Sequence, residues 1–240
     1  MRFLLPLLLL WGSTLFAGQN LLPGGSFEAP VVKGRTLLEQ GGDPSVGPNP
    51  PWIQFKVENS GTTGMITGGL TNEVARTGTQ SLFIHFDHVD QAYQSATLIS
   101  NFVPIVSGSQ YEVGIWGRTD ATDLIDSEGR SAYLKLEVDF FAKDAFQSVG
   151  EPFLRVQPLP GSKDHDPFFK PDSWNLFIVK MTAPAGAVFA QITWRWETGG
   201  DPGEINGMMY FDDSVIIGPP NPVPNLTPAP VAQQAPAAGQ

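Results

Sequence analysis

Two carboxylates set two residues apart, Glu137 and Asp139, are the most chemically suggestive spacing in this chain of 240 residues. In the alternating run Leu134-Lys135-Leu136-Glu137-Val138-Asp139-Phe140 they fall on one side of an extended strand, about 7 Å apart. Acids so placed can polarise a bound group or grip hydroxyls. The histidines offer less. His85 and His88 share the run His85-Phe86-Asp87-His88, and on a continuing strand their rings point to opposite faces, which is poor metal geometry. His165, between Asp164 and Asp166, reads as a solvated loop residue. No G-x-S-x-G, H-E-x-x-H or phosphate-binding glycine loop occurs. With no cysteine, thiolate metal sites, a cysteine nucleophile and a disulfide scaffold are all excluded. A non-catalytic role is expected.

The chemistry that parity does collect is that of sugar recognition. In Tyr111-Glu112-Val113-Gly114-Ile115-Trp116-Gly117-Arg118, the residues Tyr111, Val113 and Ile115 read as core, leaving Trp116 and Arg118 outward. By the same alternation Glu137, Asp139 and Phe141 point outward, as do His85, Gln191, Thr193 and Arg195. Aromatic rings cover the apolar C–H faces of pyranoses, while forked polar groups take their hydroxyls. The expected ligand set is therefore Trp116, Arg118, Glu137, Asp139, Phe141, His85 and Arg195. An equal alternative is that long loops cover this face and Trp116 packs beneath them. Trp194 and Trp196 share parity with Ile192 and read as core, whereas Trp52 and Trp174 plug the sandwich or its rim.

Strands must position these groups. Period-two alternation recurs in Ser81–Asp87, Tyr111–Arg118, Leu134–Phe140 and Phe189–Trp196, punctuated by Ser107-Gly108-Ser109 and Pro184-Ala185-Gly186. No window offers an amphipathic helix of three turns. The expected fold is all-β, an antiparallel β-sandwich of jelly-roll type. The 26 glycines and 22 prolines fit many short strands joined by tight turns. Val32–Pro51 and Glu151–Asp172 read as long loops, the second holding five prolines. A net charge of −10 argues against nucleic-acid backbones as partners.

The ends differ from the middle. Residues 1–17 carry Arg2, an apolar run from Phe3 to Trp11 and then small residues ending at Ala17, the layout of a secretory signal peptide. That run is too short to span a bilayer, so no stable membrane insertion is expected after cleavage, and the domain is placed outside the cytoplasm, secreted or held at the cell surface or periplasm. The domain is expected over residues 18–218. Residues 219–240 hold seven prolines, five alanines and no charge, and read as a disordered tail.

Several short motifs resemble one family in the same order. Asn20-Leu21-Leu22-Pro23-Gly24-Gly25-Ser26-Phe27-Glu28 is similar to its N-L-L-x-N-G-x-F-E opening. Thr77-Gly78-Thr79-Gln80-Ser81-Leu82, Ser107-Gly108-Ser109-Gln110-Tyr111, Trp116-Gly117-Arg118, Ser173-Trp174 and Phe211-Asp212-Asp213-Ser214-Val215 follow. Together they resemble the CenC-like carbohydrate-binding modules related to families four, nine and twenty-two, with a galactose-binding-domain-like jelly roll. Gly24-Gly25-Ser26 departs from the usual Asn-Gly-Asp or Asn-Gly-Gly. The resemblance implies a polysaccharide or glycan partner and one structural calcium, with Glu28 and Asp212 as side-chain ligands. Glu137-Val138-Asp139-Phe140-Phe141-Ala142 also partly resembles the E-x-D-x-x-E strand of jelly-roll endoglycanases, but Ala142 stands where the third acid belongs. Two alternatives remain open: a cell-surface or envelope adhesion domain that binds protein, and a jelly-roll glycanase or lyase.

Overall fold

A computed structural model describes residues 19–22, 25–28, 52–59, 64–89, 94–127, 130–142, 147–159, 170–200 and 203–219. The signal-peptide reading, the Val32–Pro51 loop, His165 and the tail beyond Pro219 lie outside them. The strands are β1 (Gln19–Asn20), β2 (Trp52–Glu58), β3 (Met65–Thr71), β4 (Ser81–Val89), β5 (Ser95–Ser100), β6 (Val103–Pro104), β7 (Gln110–Thr119), β8 (Asp126–Ser127), β9 (Ala132–Phe141), β10 (Phe153–Pro158), β11 (Asn175–Thr182), β12 (Phe189–Thr198) and β13 (Ile205–Gly218). No helix occurs among the described residues.

The strands form two antiparallel sheets. One runs β11-β7-β13-β4-β3, with β1 and β8 added to β13; the other runs β10-β9-β12-β5-β2, with β6 added to β12. The all-β sandwich expected from the alternation is what forms. Ala132, Leu134, Leu136, Val138 and Phe140 of β9 are buried, and the intervening Tyr133, Lys135, Glu137, Asp139 and Phe141 face outward. Leu82, Ile84 and Phe86 of β4 and Tyr111, Val113 and Ile115 of β7 are buried in the same way.

Two aromatic contacts stitch the inner faces together. Trp196 of one sheet packs on Phe211 of the other with ring centroids 4.8 Å apart, and Trp194 meets Phe177 edge-on at 5.9 Å. The Trp194 indole also donates to the Ser214 hydroxyl at 2.9 Å, inside the core. Each large ring removes so much apolar surface from water that these pairs dominate the packing. Trp52, 1% exposed, stacks on Phe27 at 5.6 Å and seals the core beside the first segment. Trp174 is half-buried.

One expectation is corrected. The Pro-rich stretch Glu151–Asp172 contains strand β10, paired with β9 from Phe153↔Val138 to Pro158↔Tyr133. Pro152 precedes the strand and Pro158 ends it. Among the described residues strand β10 has a neighbour on one side only, so proline's missing N–H breaks no second ladder there.

Candidate ligand-binding face

The seven outward residues expected to bind ligand do not share one face. Strands β4 and β7 belong to one sheet, and β9 and β12 to the other. His85, Trp116 and Arg118 therefore look out from one side of the sandwich. Glu137, Asp139, Phe141 and Arg195 look out from the opposite side. Parity holds strand by strand; the assumption that the strands lie in one sheet is what the topology overturns.

On the first face Trp116 and Arg118 already have partners. Arg76 sets its guanidinium 3.8 Å above the centre of the Trp116 ring, and its Nη1 also pairs with Asp213. Arg118 donates from Nε and Nη2 to Asp120 Oδ1, at 3.0 and 2.8 Å. Asp172 lies 3.8 Å from the same guanidinium and accepts the Ala121 N–H, while its own N–H reaches the Thr119 carbonyl at 2.8 Å. Tyr210, in register with Arg118, is only 3% exposed. Burial, followed by the negative charge of Asp120, raises its phenol above the ordinary tyrosine range. His85 is half-buried between Thr67 and Met208 in register. Around Trp116 and Arg118 this face is occupied by Arg76, Asp120 and Asp172.

The opposite face is arranged differently. Glu137 lies between Leu154 of β10 and Thr193 of β12, Asp139 lies beside Gln191, and Arg195 lies between Lys135 and Thr97. Phe141 stands opposite Phe189, and Phe102 packs edge-on against Phe141 at 5.1 Å. Thr193 and Thr97 are each 8% exposed, short side chains sunk between longer ones. Lys135 pairs with Glu197 and Lys56 with Glu58. Among the described residues, the side chains of Glu137 and Asp139 have neither a hydrogen bond nor an ion pair. Burial, then the nearby Glu137 charge, raises the Asp139 carboxyl above its usual range. The result is a ribbon of acids, amides, hydroxyls and one guanidinium that ends on three half-buried phenylalanines. Phe189 is readable from its parity with Arg195; Phe102 sits outside any strand and carries no periodic signal.

The expected calcium ligands lie at the far end of the first sheet. Glu28 and Asp212 both converge on the strap of residues 72–80. Glu28 Oε1 accepts the N–H groups of Thr79 and Gln80, each at 2.7 Å, and Oε2 accepts the Thr79 hydroxyl at 3.1 Å. Asp212 Oδ2 accepts the Arg76 and Thr77 N–H groups at 2.8 and 3.2 Å, and Oδ1 accepts the Asp213 N–H at 2.7 Å. Asp212 is fully buried, which pushes its pKa up to about 6 against the pull of those amides. Calcium takes six to eight oxygen ligands. Here all four carboxylate oxygens already accept N–H or O–H donors, and among the described residues no three His, Asp or Glu side chains gather to hold a metal. The donor set does not fit a calcium shell.

No family model and no curated protein matches this sequence. Among solved structures, a family 4 carbohydrate-binding module is similar at 16% identity and a TM-score of 0.41, over 82% of this chain and 99% of that one. A family 61 module, TmCBM61, solved in complex with beta-1,4-galactotriose, is similar at 15% identity and a TM-score of 0.40, over 76% of this chain and 97% of that one. The enzymatically active domain of tailspike protein 4 from bacteriophage CBA120 is similar at 13% identity and a TM-score of 0.41, over 68% of this chain and only 19% of that one. Family 22 and family 16 modules are also among the similar structures. The function of this chain rests on its own side chains.

Proposed function

We propose that this chain is an exported, non-catalytic glycan-binding β-sandwich that holds a polysaccharide on the outer face of its six-stranded sheet. One observation carries the reading: on that face Glu137, Asp139, Gln191 and Arg195 stand in adjacent register beside the Phe141–Phe189–Phe102 cluster. The carboxylates there accept from sugar hydroxyls, the Gln191 amide and the Arg195 guanidinium donate to them, and the phenylalanine rings offer apolar area to a pyranose face. Two acids without cation partners favour a neutral or basic sugar over a uronic acid, since like charges in the site oppose binding. Trp116 and Arg118 do not lead this proposal, because Arg76 covers one and Asp120 holds the other.

The test is retention on immobilised neutral polysaccharides and a glycan array. Phe141→Ala and Arg195→Ala should each weaken retention, with Trp116→Ala retained like wild type. Loss of binding in Trp116→Ala alone, with a normal melting profile, would move the site to the other sheet. A silent array would favour the second reading, protein binding. That reading is supported by strand β10, an edge strand among the described residues, where Leu154 and Val156 are 59% and 37% exposed.

A further inference from the structure

We infer that the first and last segments of the domain are fastened to each other without a metal ion, by a strap of backbone amides whose positive charge is supplied by Arg76. This inference is independent of the glycan reading. The strap, residues 72–80, joins β3 to β4 and crosses two acids brought from opposite ends of the sequence. Thr79 and Gln80 close on Glu28 from the first segment. Arg76 and Thr77 close on Asp212 from the last strand. The Thr77 hydroxyl and the Arg76 guanidinium then take Asp213, at 2.8 Å for the hydroxyl.

The chemistry is that of an anion site turned inward. Consecutive N–H groups present partial positive charge to a carboxylate, as they do to bound anions in backbone nests. A calcium ion at the same place would have to meet oxygens, yet the strap aims nitrogens at both acids. The charge such an ion would bring is already present in Arg76. Its guanidinium pairs with Asp213, and the Trp116 ring backs it at 3.8 Å. A cation over an aromatic face is attracted by the ring quadrupole, and more strongly when desolvated. Side-chain exposures of 30% for Arg76 and 15% for Asp213 leave this pair only partly open to screening water.

The backbone of the last strand is shaped for the same purpose. Pairing between β13 and β7 shifts register between Asp212 and Val215, and Asp213 takes a left-handed φ of 46°. That bulge turns two successive acids toward the strap while Ser214 stays inward, where its N–H donates to the Gly25 carbonyl at 2.8 Å and its hydroxyl accepts from Trp194. The first segment, the strap and the bulge thus hold one another through hydrogen bonds and the Arg76–Asp213 ion pair.

The experiment is thermal unfolding of the purified full chain with excess EDTA, with excess calcium and with neither, together with elemental analysis of the dialysed protein. The expected result is one melting temperature in all three conditions and less than stoichiometric calcium. Arg76→Met, which keeps the apolar stem and removes the charge, should lower the melting temperature by about 2–6 °C, and calcium should not restore it. Stoichiometric bound calcium would overturn the inference, as would a melting temperature that falls in EDTA and recovers with calcium. Should Arg76→Met fail to fold, the wild-type comparison decides the question by itself.

Discussion

Replacing Gly78 by alanine tests the strap at its narrowest point. Gly78 has φ +62°, a left-handed backbone, and a Cβ added to it would lie 2.3 Å from Glu28 Cδ and 2.5 Å from Oε1. The carboxylate is the far end of a flexible side chain, so the overlap is relieved when Glu28 swings away. What is lost is its cradle, two amide bonds at 2.7 Å and one hydroxyl bond at 3.1 Å. Hydrogen bonds to a charged group contribute about 1.5–3 kcal/mol, and half-burial places this set near the lower figure, about 2 kcal/mol. The left-handed alanine adds about 1 kcal/mol. The sum, about 3 kcal/mol, corresponds to a melting temperature lower by about 6–12 °C in a domain of this size. Gly108→Ala is the matched control, because Gly108 has φ +74° and nothing lies within 4 Å of the point its new methyl group would occupy. It should lose only the conformational part, about 2–4 °C. In a Glu28→Ala background, Gly78→Ala should fall to the Gly108→Ala value, since the two residues are then uncoupled. Equal losses for the two glycines, or a gap that persists without Glu28, would refute the reasoning.

Two further substitutions separate hydrogen bonding from packing. Trp194 and Trp196 are both fully buried, but only the Trp194 indole has a partner; the Trp196 Nε1 has none among the described residues. Trp194→Phe should therefore cost about 1 kcal/mol more than Trp196→Phe in urea unfolding, because it alone strands the Ser214 hydroxyl; the reverse order would contradict the assignment. His88 gives the pH test. Its hydrogen bond to Glu204, then the Glu204 charge, raises its pKa above the ordinary histidine value. The protonated form is thus favoured in the folded state, and the stabilisation is complete below the unfolded pKa and lost as pH rises through the elevated one. An NMR titration should show His88 moving back toward the ordinary value in Glu204→Gln, and no movement would remove the pair.

Local alternation makes much of this architecture legible. The runs around Leu134, Ile84, Val113 and Ile192 mark the correct inward residues because a two-residue period survives any tertiary context in which one face is buried. Strand β10 is hidden because Pro152 and Pro158 are turn formers by composition, and only its edge position makes them compatible with a ladder. Phe27 is hidden for another reason. It adopts φ 58°, a left-handed backbone in a bulky residue, and the stack on Trp52 that accompanies it joins segments far apart in the chain.

The division of the candidate site has the same physical origin. Alternation along a strand specifies in from out, but which sheet the strand joins is decided by pairing partners elsewhere in the chain. Strands β7 and β9 are separated by one connection that carries the short β8, yet β7 pairs with β11 and β13 while β9 pairs with β10 and β12. Trp116 and Asp139 can both be outward and still have the whole core between them. Arg76 then settles their different fates. Nothing in the sequence around Trp116 announces Arg76, because that cation arrives on the strap between β3 and β4, held by an acid from β13. No comparable strap reaches Glu137 or Asp139 among the described residues. An outward acid keeps its oxygens for a ligand only when the fold leaves it without an intramolecular partner, and on that criterion Glu137 and Asp139 place the proposed glycan site on the second sheet.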